Sequence, residues 1–160
     1  FPTLISCTGN VQSACDTVSA SLHHYGVKAA EQVLGTGSGS DSLAVVVGTW
    51  NQLKGVIAAE LIASGPASSG VYAQFVGSRG QALELDNPLG DVVKTLHGSA
   101  GLIAATSEVS LGQPTWFVTG TDAAGVEAAA RAFTAAKLHN HFAVAVSGSR
   151  VLPVPLDAGS

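Results

Sequence analysis

Thr115-Trp-Phe-Val-Thr-Gly-Thr-Asp-Ala-Ala-Gly-Val-Glu-Ala-Ala-Ala-Arg-Ala-Phe133 changes periodicity halfway along its length. The first half is short, β-branched and aromatic, the composition of a buried strand. The second is alanine-rich and places Val126, Ala129, Ala130 and Phe133 on one face at helical spacing. Gly120-Thr121-Asp122 lies between them, and Thr121 or Asp122 can accept a hydrogen bond from the first free N–H groups of the helix. The stretch therefore predicts a strand, a tight turn and a helix. An equivalent unit stands upstream. Leu43-Ala-Val-Val-Val-Gly-Thr-Trp50 reads as a buried parallel strand. Leu53, Val56, Ile57 and Leu61 then recur at helical spacing, with Thr49 or Asn51 to start the helix and Gly65-Pro66 to stop it. The two units are not a sequence repeat of useful length; they are one structural solution used twice.

Strands alternating with helices favour a mixed, partly parallel sheet flanked by helices, an α/β fold in a single layered domain over residues 1–160. Right-handed crossovers would bring both Gly-Thr turns to the carboxyl edge of that sheet, where ligands of open α/β sheets bind. Within the domain, residues 1–34 read as an extended lead, a helix from Val11 to Tyr25 capped by Gly26, and a strand from Val27 to Leu34. Residues 35–42 are a Gly/Ser loop, and 43–155 form the main body. Inside it, Val71–Val76 and Gln81–Leu85 alternate well enough for an antiparallel hairpin turning at Gly77–Gly80, and Asp86–Gly90 is a further turn. A short helix is expected around Asp91–Leu96, with strands at Gly101–Thr106 and Phe142–Val146. Val151–Pro155 reads as an edge or an extended tail, since proline cannot donate to a ladder.

Composition narrows the function classes. Of 160 residues 46% are apolar and only 11% charged, against roughly 25% charged in ordinary soluble domains, so the chain as a whole is not disordered. A net charge of -4 and scattered basic residues (Lys28, Lys54, Arg79, Lys94, Arg131, Lys137, Arg150) oppose nucleic-acid binding. The longest purely apolar run, Leu43–Val47, is far short of the roughly 20 residues a bilayer requires, so no transmembrane segment is expected. The chain starts Phe1-Pro2 and contains no methionine, which is compatible with a removed signal peptide or lipoprotein leader. Cys7 and Cys15, the two cysteines, close a short loop and are expected to form a disulfide in an oxidising compartment. Cys15 also falls on the apolar helix face of Val11, Val18, Leu22 and Tyr25, where an ordinary core residue would sit. Two thiols fall short of the four ligands of a structural zinc site, and no metal or other cofactor is expected.

Recognised catalytic signatures are missing. Gly35-Thr-Gly-Ser-Gly39 precedes a strand and lacks both nucleotide fingerprints. His97-Gly-Ser99-Ala-Gly101 does not fit a nucleophile elbow. Glu84 and Asp86 share one face of a strand, as acid–base chemistry requires, but solvation at a strand edge accounts for them equally well. His23-His24 and His139-Asn-His141 offer imidazoles with no supporting carboxylate or thiol at local spacing. The candidate ligand-facing residues are therefore the two turns themselves, Gly48, Thr49 and Trp50 with Gly120, Thr121 and Asp122. The competing role for Thr121 and Asp122 is plain helix capping, and that for Trp50 is core packing.

Gly101–Thr106, Pro114–Phe133 and Leu138–Val146, with Val47-Gly-Thr-Trp50 and Ser64–Val71, resemble segments of uncharacterised actinobacterial secreted or lipoprotein-like proteins over about residues 43–155. Some such proteins are associated with a transcobalamin-like domain. That resemblance implies an extracytoplasmic binding or uptake-accessory role. It brings no residue-level ligand motif. With the missing catalytic motifs, the low charge and the expected disulfide, the leading expectation is a non-enzymatic binding or interaction module, accessory to small-molecule uptake, with a small molecule or another extracytoplasmic domain as partner. The alternative is a hydrolase or transferase whose site is assembled from dispersed serine, histidine and carboxylate residues.

Overall fold

A computed structural model describes residues 3–33, 45–53, 71–107, 114–133 and 143–156. The chain runs β1 (Thr3–Cys7), a 3-10 turn (Gly9–Val11), α1 (Gln12–His24), β2 (Ala29–Val33), β3 (Val45–Val47), α2 (Trp50–Leu53), β4 (Ala73–Val76), β5 (Ala82–Asp86), β6 (Val92–His97), β7 (Gly101–Ser107), β8 (Pro114–Gly120), α3 (Ala123–Ala132), β9 (Ala143–Ser147) and β10 (Arg150–Pro153). Seven strands form one sheet in the order β10-β9-β7-β8-β3-β1-β2, and β4-β5-β6 form a second. β2, β1, β3 and β8 are mutually parallel, whereas β7, β9 and β10 are joined by antiparallel pairings. The fold is thus α/β with a mixed, partly parallel sheet.

Two apolar layers follow from strand alternation. On one face Ile5, Cys7, Val45, Val47, Ile103 and Val118 meet α1 and α3. On the other, Val46, Leu102, Ala104 and Phe117 meet α2 and the small sheet through Trp50, Leu53, Phe75, Leu83 and Leu85. β3 is buried on both faces, which is why it is uninterrupted valine. Phe117, Leu102, Leu83 and Leu85 are fully buried, each contributing about 1.5–3 kcal/mol of transfer free energy.

The helices end as their sequences dictate. Gly26 takes a φ of 78° after α1. Its N–H donates to the His23 carbonyl (3.0 Å) and that of Val27 to Leu22 (2.9 Å), the paired bonds of a Schellman cap. α3 starts on Asp122, whose carboxylate accepts from Gly125 N at 2.8 Å. It buries Val126, Ala129, Ala130 and Phe133, the predicted face. α3 and α1 are tied at their far ends where the Ser21 hydroxyl donates to the Phe133 carbonyl (2.6 Å). Gly125 is a point of close approach, because a Cβ there would run into the Ala100 carbonyl oxygen.

Most expected elements stand. The hairpin pairs β4 with β5 antiparallel, and β10 is an edge strand on β9. The helix expected at Asp91–Leu96 is instead β6, an edge strand on β5. Val92, Val93 and Thr95 are β-branched, and a paired neighbour outweighs the weak helical spacing of so short a segment. The Gly35–Ser42 loop, the apolar positions Val56, Ile57 and Leu61, and His139 and His141 lie outside the described residues.

Candidate functional site

β1 is followed by β2 on one side, and the chain then crosses to place β3 on the other. The sheet order reverses between β1 and β3, which makes their carboxyl ends a topological switch point, the usual ligand crevice of an open α/β sheet. β8 lies next to β3 in parallel, with Val47 opposite Val118. Both predicted turns, Gly48-Thr49-Trp50 and Gly120-Thr121-Asp122, therefore share one edge on adjacent strands. Backbone bonds sew this edge together. Thr8 N donates to Val47 O (3.0 Å), Gly48 N to Val118 O (3.2 Å) and Thr121 N to Ala100 O (2.9 Å).

The polar groups of the turn after β8 are bonded among themselves, with Ser99 and Asp122 exposed. The Thr121 hydroxyl accepts from Ala100 N (3.0 Å) and donates to Gly98 O (3.0 Å). One Asp122 oxygen caps α3, and the other accepts from the Ser99 hydroxyl at 2.7 Å. Gly120 leaves no room for a side chain, since a Cβ would lie 2.7 Å from both Ala100 O and Val126 N. Trp50 does not form an aromatic wall at this edge. It is 5% exposed and stacked on Phe75, with ring centroids 4.9 Å apart and planes 13° from parallel.

The turn after β3 differs. Thr49 starts α2, its carbonyl accepting from the N–H groups of Gln52 and Leu53 at 3.0 Å. Thr-x-x-Gln is a capping-box spacing, and Gln52 Oε1 reaches back to Thr49 N (3.4 Å) and to the Thr49 hydroxyl (3.0 Å). The same oxygen receives the Thr8 hydroxyl from the end of β1 at 2.9 Å, and Thr8 Oγ1 also lies 3.0 Å from Asn10 Oδ1. A threonine hydroxyl has one proton to donate and two lone pairs, so it cannot satisfy two carbonyl oxygens together. Rotating the Asn10 amide lets its NH2 group donate to Thr8 while Thr8 donates to Gln52 Oε1. Asn10 and Gln52 are exposed, Thr8 is half-buried, and Thr49 is buried at the base.

Thr8, Asn10 and Gln52 are the residues a reading of the sequence missed. Cys7-Thr-Gly-Asn10 followed by an apolar-faced helix is a third strand-turn-helix junction, and Thr49-x-x-Gln52 is a legible capping box. Their convergence depends on β1 lying beside β3, which only the sheet order reveals.

Other polar groups bear on chemistry. Ser13, in the first turn of α1, donates to Glu127 Oε1 at 2.8 Å, while Glu127 Oε2 is buried with no hydrogen-bond partner among the described residues. Asp86 is 4% exposed, and burial, followed by repulsion from Glu84 and Asp91, raises its pKa above the ordinary carboxylate value. Among the described residues the histidine hydrogen bond is that of His23 Nε2 with Ala29 O (3.3 Å), and no histidine there joins a hydroxyl to a carboxylate. An open groove lined by His23, Gly26, Val27, Lys28 and Ala29 lies at the opposite end of α1 from the switch point. Its basic groups sit where a helix C-terminus favours positive charge, so the helix dipole accounts for them.

Cys7 and Cys15 form the expected disulfide, with Cα atoms 6.1 Å apart. It fixes the β1–α1 loop that carries Thr8 and Asn10. Among the described residues no helix is long and apolar enough to cross a membrane. Comparison with protein-family models, with curated proteins and with solved structures finds no match for this chain.

Proposed function

We propose that this protein is a non-catalytic binding or interaction module of an extracytoplasmic compartment. In this reading it takes a small uncharged polar solute at the β1/β3 carboxyl edge, as an accessory to small-molecule uptake. The observation that carries the reading is the Thr8–Gln52–Thr49 network across the switch point. Hydroxyl and amide groups donate and accept without formal charge, which suits ligand hydroxyls and amides better than phosphates or carboxylates. The Cys7–Cys15 disulfide supports an oxidising compartment.

The test is calorimetric titration of the oxidised protein with a panel of neutral polyols, sugars and amides, set beside their phosphorylated or carboxylated counterparts. The expected result is saturable binding of a neutral member, weakened about tenfold or more by Gln52→Ala, which removes the three hydrogen bonds of the Gln52 side chain. Binding of charged members alone, or of neutral members unaffected by Gln52→Ala, would overturn the assignment.

A further inference from the structure

The disulfide has a neighbour that its sequence spacing does not reveal. Parallel pairing of β1 with β2 sets Ile5 opposite Glu31 and Cys7 opposite Val33. Cys7 points with Ile5 into the layer under α1, and Cys15 descends into the same layer from the helix. As a result Cys7 Sγ, Cys15 Sγ and a Glu31 carboxylate oxygen all lie within 4.8 Å of one another. The Gln12 side-chain amide donates to Glu31 Oε1 (3.0 Å) and to Asp16 Oδ1 (2.9 Å), holding a second carboxylate beside the first. Local desolvation and the proximity of Asp16 raise the pKa of the otherwise exposed Glu31, whereas Gln12 and His23 act the other way. Two carboxylates are thus crowded over a sulfur pair with one amide and one imidazole to offset them.

We infer that reduction of the Cys7–Cys15 bond turns this cluster into a zinc site, with both thiolates and the Glu31 carboxylate as ligands and Gln12 orienting Glu31 from outside. Tetrahedral zinc holds thiolates at about 2.3 Å and carboxylate oxygens at about 2.0–2.2 Å, so its ligand atoms stand about 3.5–3.8 Å apart. The two sulfurs, bonded to each other in the oxidised pair, separate to that spacing on reduction, whereas a Glu31 oxygen already lies within 4.8 Å of both. Three protein ligands leave the fourth position to water. The chemistry balances. A dithiol supplies two electrons and two protons, leaves as its own disulfide and converts the pair to thiols, and Zn2+ then displaces both thiol protons into solvent. The oxidised pair has no thiolate to offer, so the site exists in one redox state alone. This inference is independent of the solute reading of the carboxyl edge.

Co2+ serves as the spectroscopic stand-in for Zn2+. The full chain, reduced and held under anaerobic conditions, is titrated with Co2+, which is then displaced by Zn2+, with circular dichroism following the fold. One equivalent is expected, with thiolate-to-cobalt charge-transfer absorption in the near ultraviolet. Glu31→Gln should weaken binding by about tenfold or more, since even residues outside the ligand shell can account for that much. The oxidised protein should give no charge-transfer band. Glu31 is exposed on an edge strand, so the oxidised Glu31→Gln protein is the check that the variant folds. The inference is overturned if reduced protein shows no thiolate band, if Glu31→Gln binds as tightly as the parent, or if reduction unfolds the chain and zinc does not refold it.

Discussion

The turns after β3 and β8 start from the same Gly-Thr dipeptide at the ends of adjacent parallel strands, yet their polar atoms have different fates. After β8 the Thr121 hydroxyl and both Asp122 oxygens bond within the turn, to the Gly98–Ala100 backbone, Ser99 and the first turn of α3. After β3 the Thr49 hydroxyl joins a chain of side chains that crosses to β1 and reaches solvent. The neighbours decide the outcome. β8 ends against the β6–β7 turn, which brings backbone acceptors and a serine, whereas β3 ends at the switch point, where the sheet order reverses and the adjacent loops diverge. A Gly-Thr turn is a folding device in the first place and a candidate binding edge in the second.

The contrast can be broken most severely at glycines. Gly125→Val should cost about 3 kcal/mol or more in chemical denaturation, because its side chain would meet the Ala100 carbonyl in a turn with no slack. Gly9→Ala, in the loop after β1, has nothing within 4 Å of the new Cβ and should change stability by about 0.5 kcal/mol or less. Equal costs would mean that the loop after β1 is packed as tightly as the start of α3.

Replacing both cysteines by serine should cost about 2–3 kcal/mol, the loop-closure entropy expected for cysteines separated by eight positions. The same double variant should weaken solute binding, since it frees the loop carrying Thr8 and Asn10. Asp122→Ala removes a helix cap and the Ser99 bond, and should lower stability by about 1–2 kcal/mol without affecting the solute. Gln52→Ala should do the reverse, costing about 1 kcal/mol or less in melting experiments while removing most of the binding.

The smallest effect concerns pH. Asp86 has its pKa raised in the folded protein, so between the ordinary value of 3.8 and the raised one the folded state holds more proton than the unfolded chain. Stability from this group is therefore greatest below the ordinary value and is lost as pH rises through the raised one. Asp86→Asn should melt slightly higher than the parent at pH 7, with the difference closing as pH falls toward 4. A gap that widened on acidification would reverse the assigned sign.

The sequence disclosed the parts of this contrast that depend on local patterning. The valine run of β3, the Asp122 cap, the inward face of α3 and the hairpin of β4 and β5 follow from periodicity and turn chemistry. β6 reads locally as a helix because its strand character comes from pairing with β5, a partner no local window contains. Trp50 could be read either as an edge or as a core residue, and its stacking on Phe75 from the second sheet settles the matter. Thr8 with Gln52 are 44 positions apart, and Glu31 stands 16 positions beyond Cys15. Both groupings depend on β1 lying between β2 and β3, and strand order is a property of the whole sheet.

In the proposed function the β1/β3 edge takes the ligand, while the polar groups of the β8 edge are engaged with one another. Backbone and side-chain amide NMR spectra of the oxidised protein, recorded during titration with the tightest neutral solute, test it residue by residue. The account predicts saturable shifts at Thr8, Asn10, Thr49 and the Gln52 side-chain amide, with Thr121, Asp122 and Gly125 unmoved. Shifts confined to Thr121 and Asp122, or to the groove around His23 and Lys28, would contradict it.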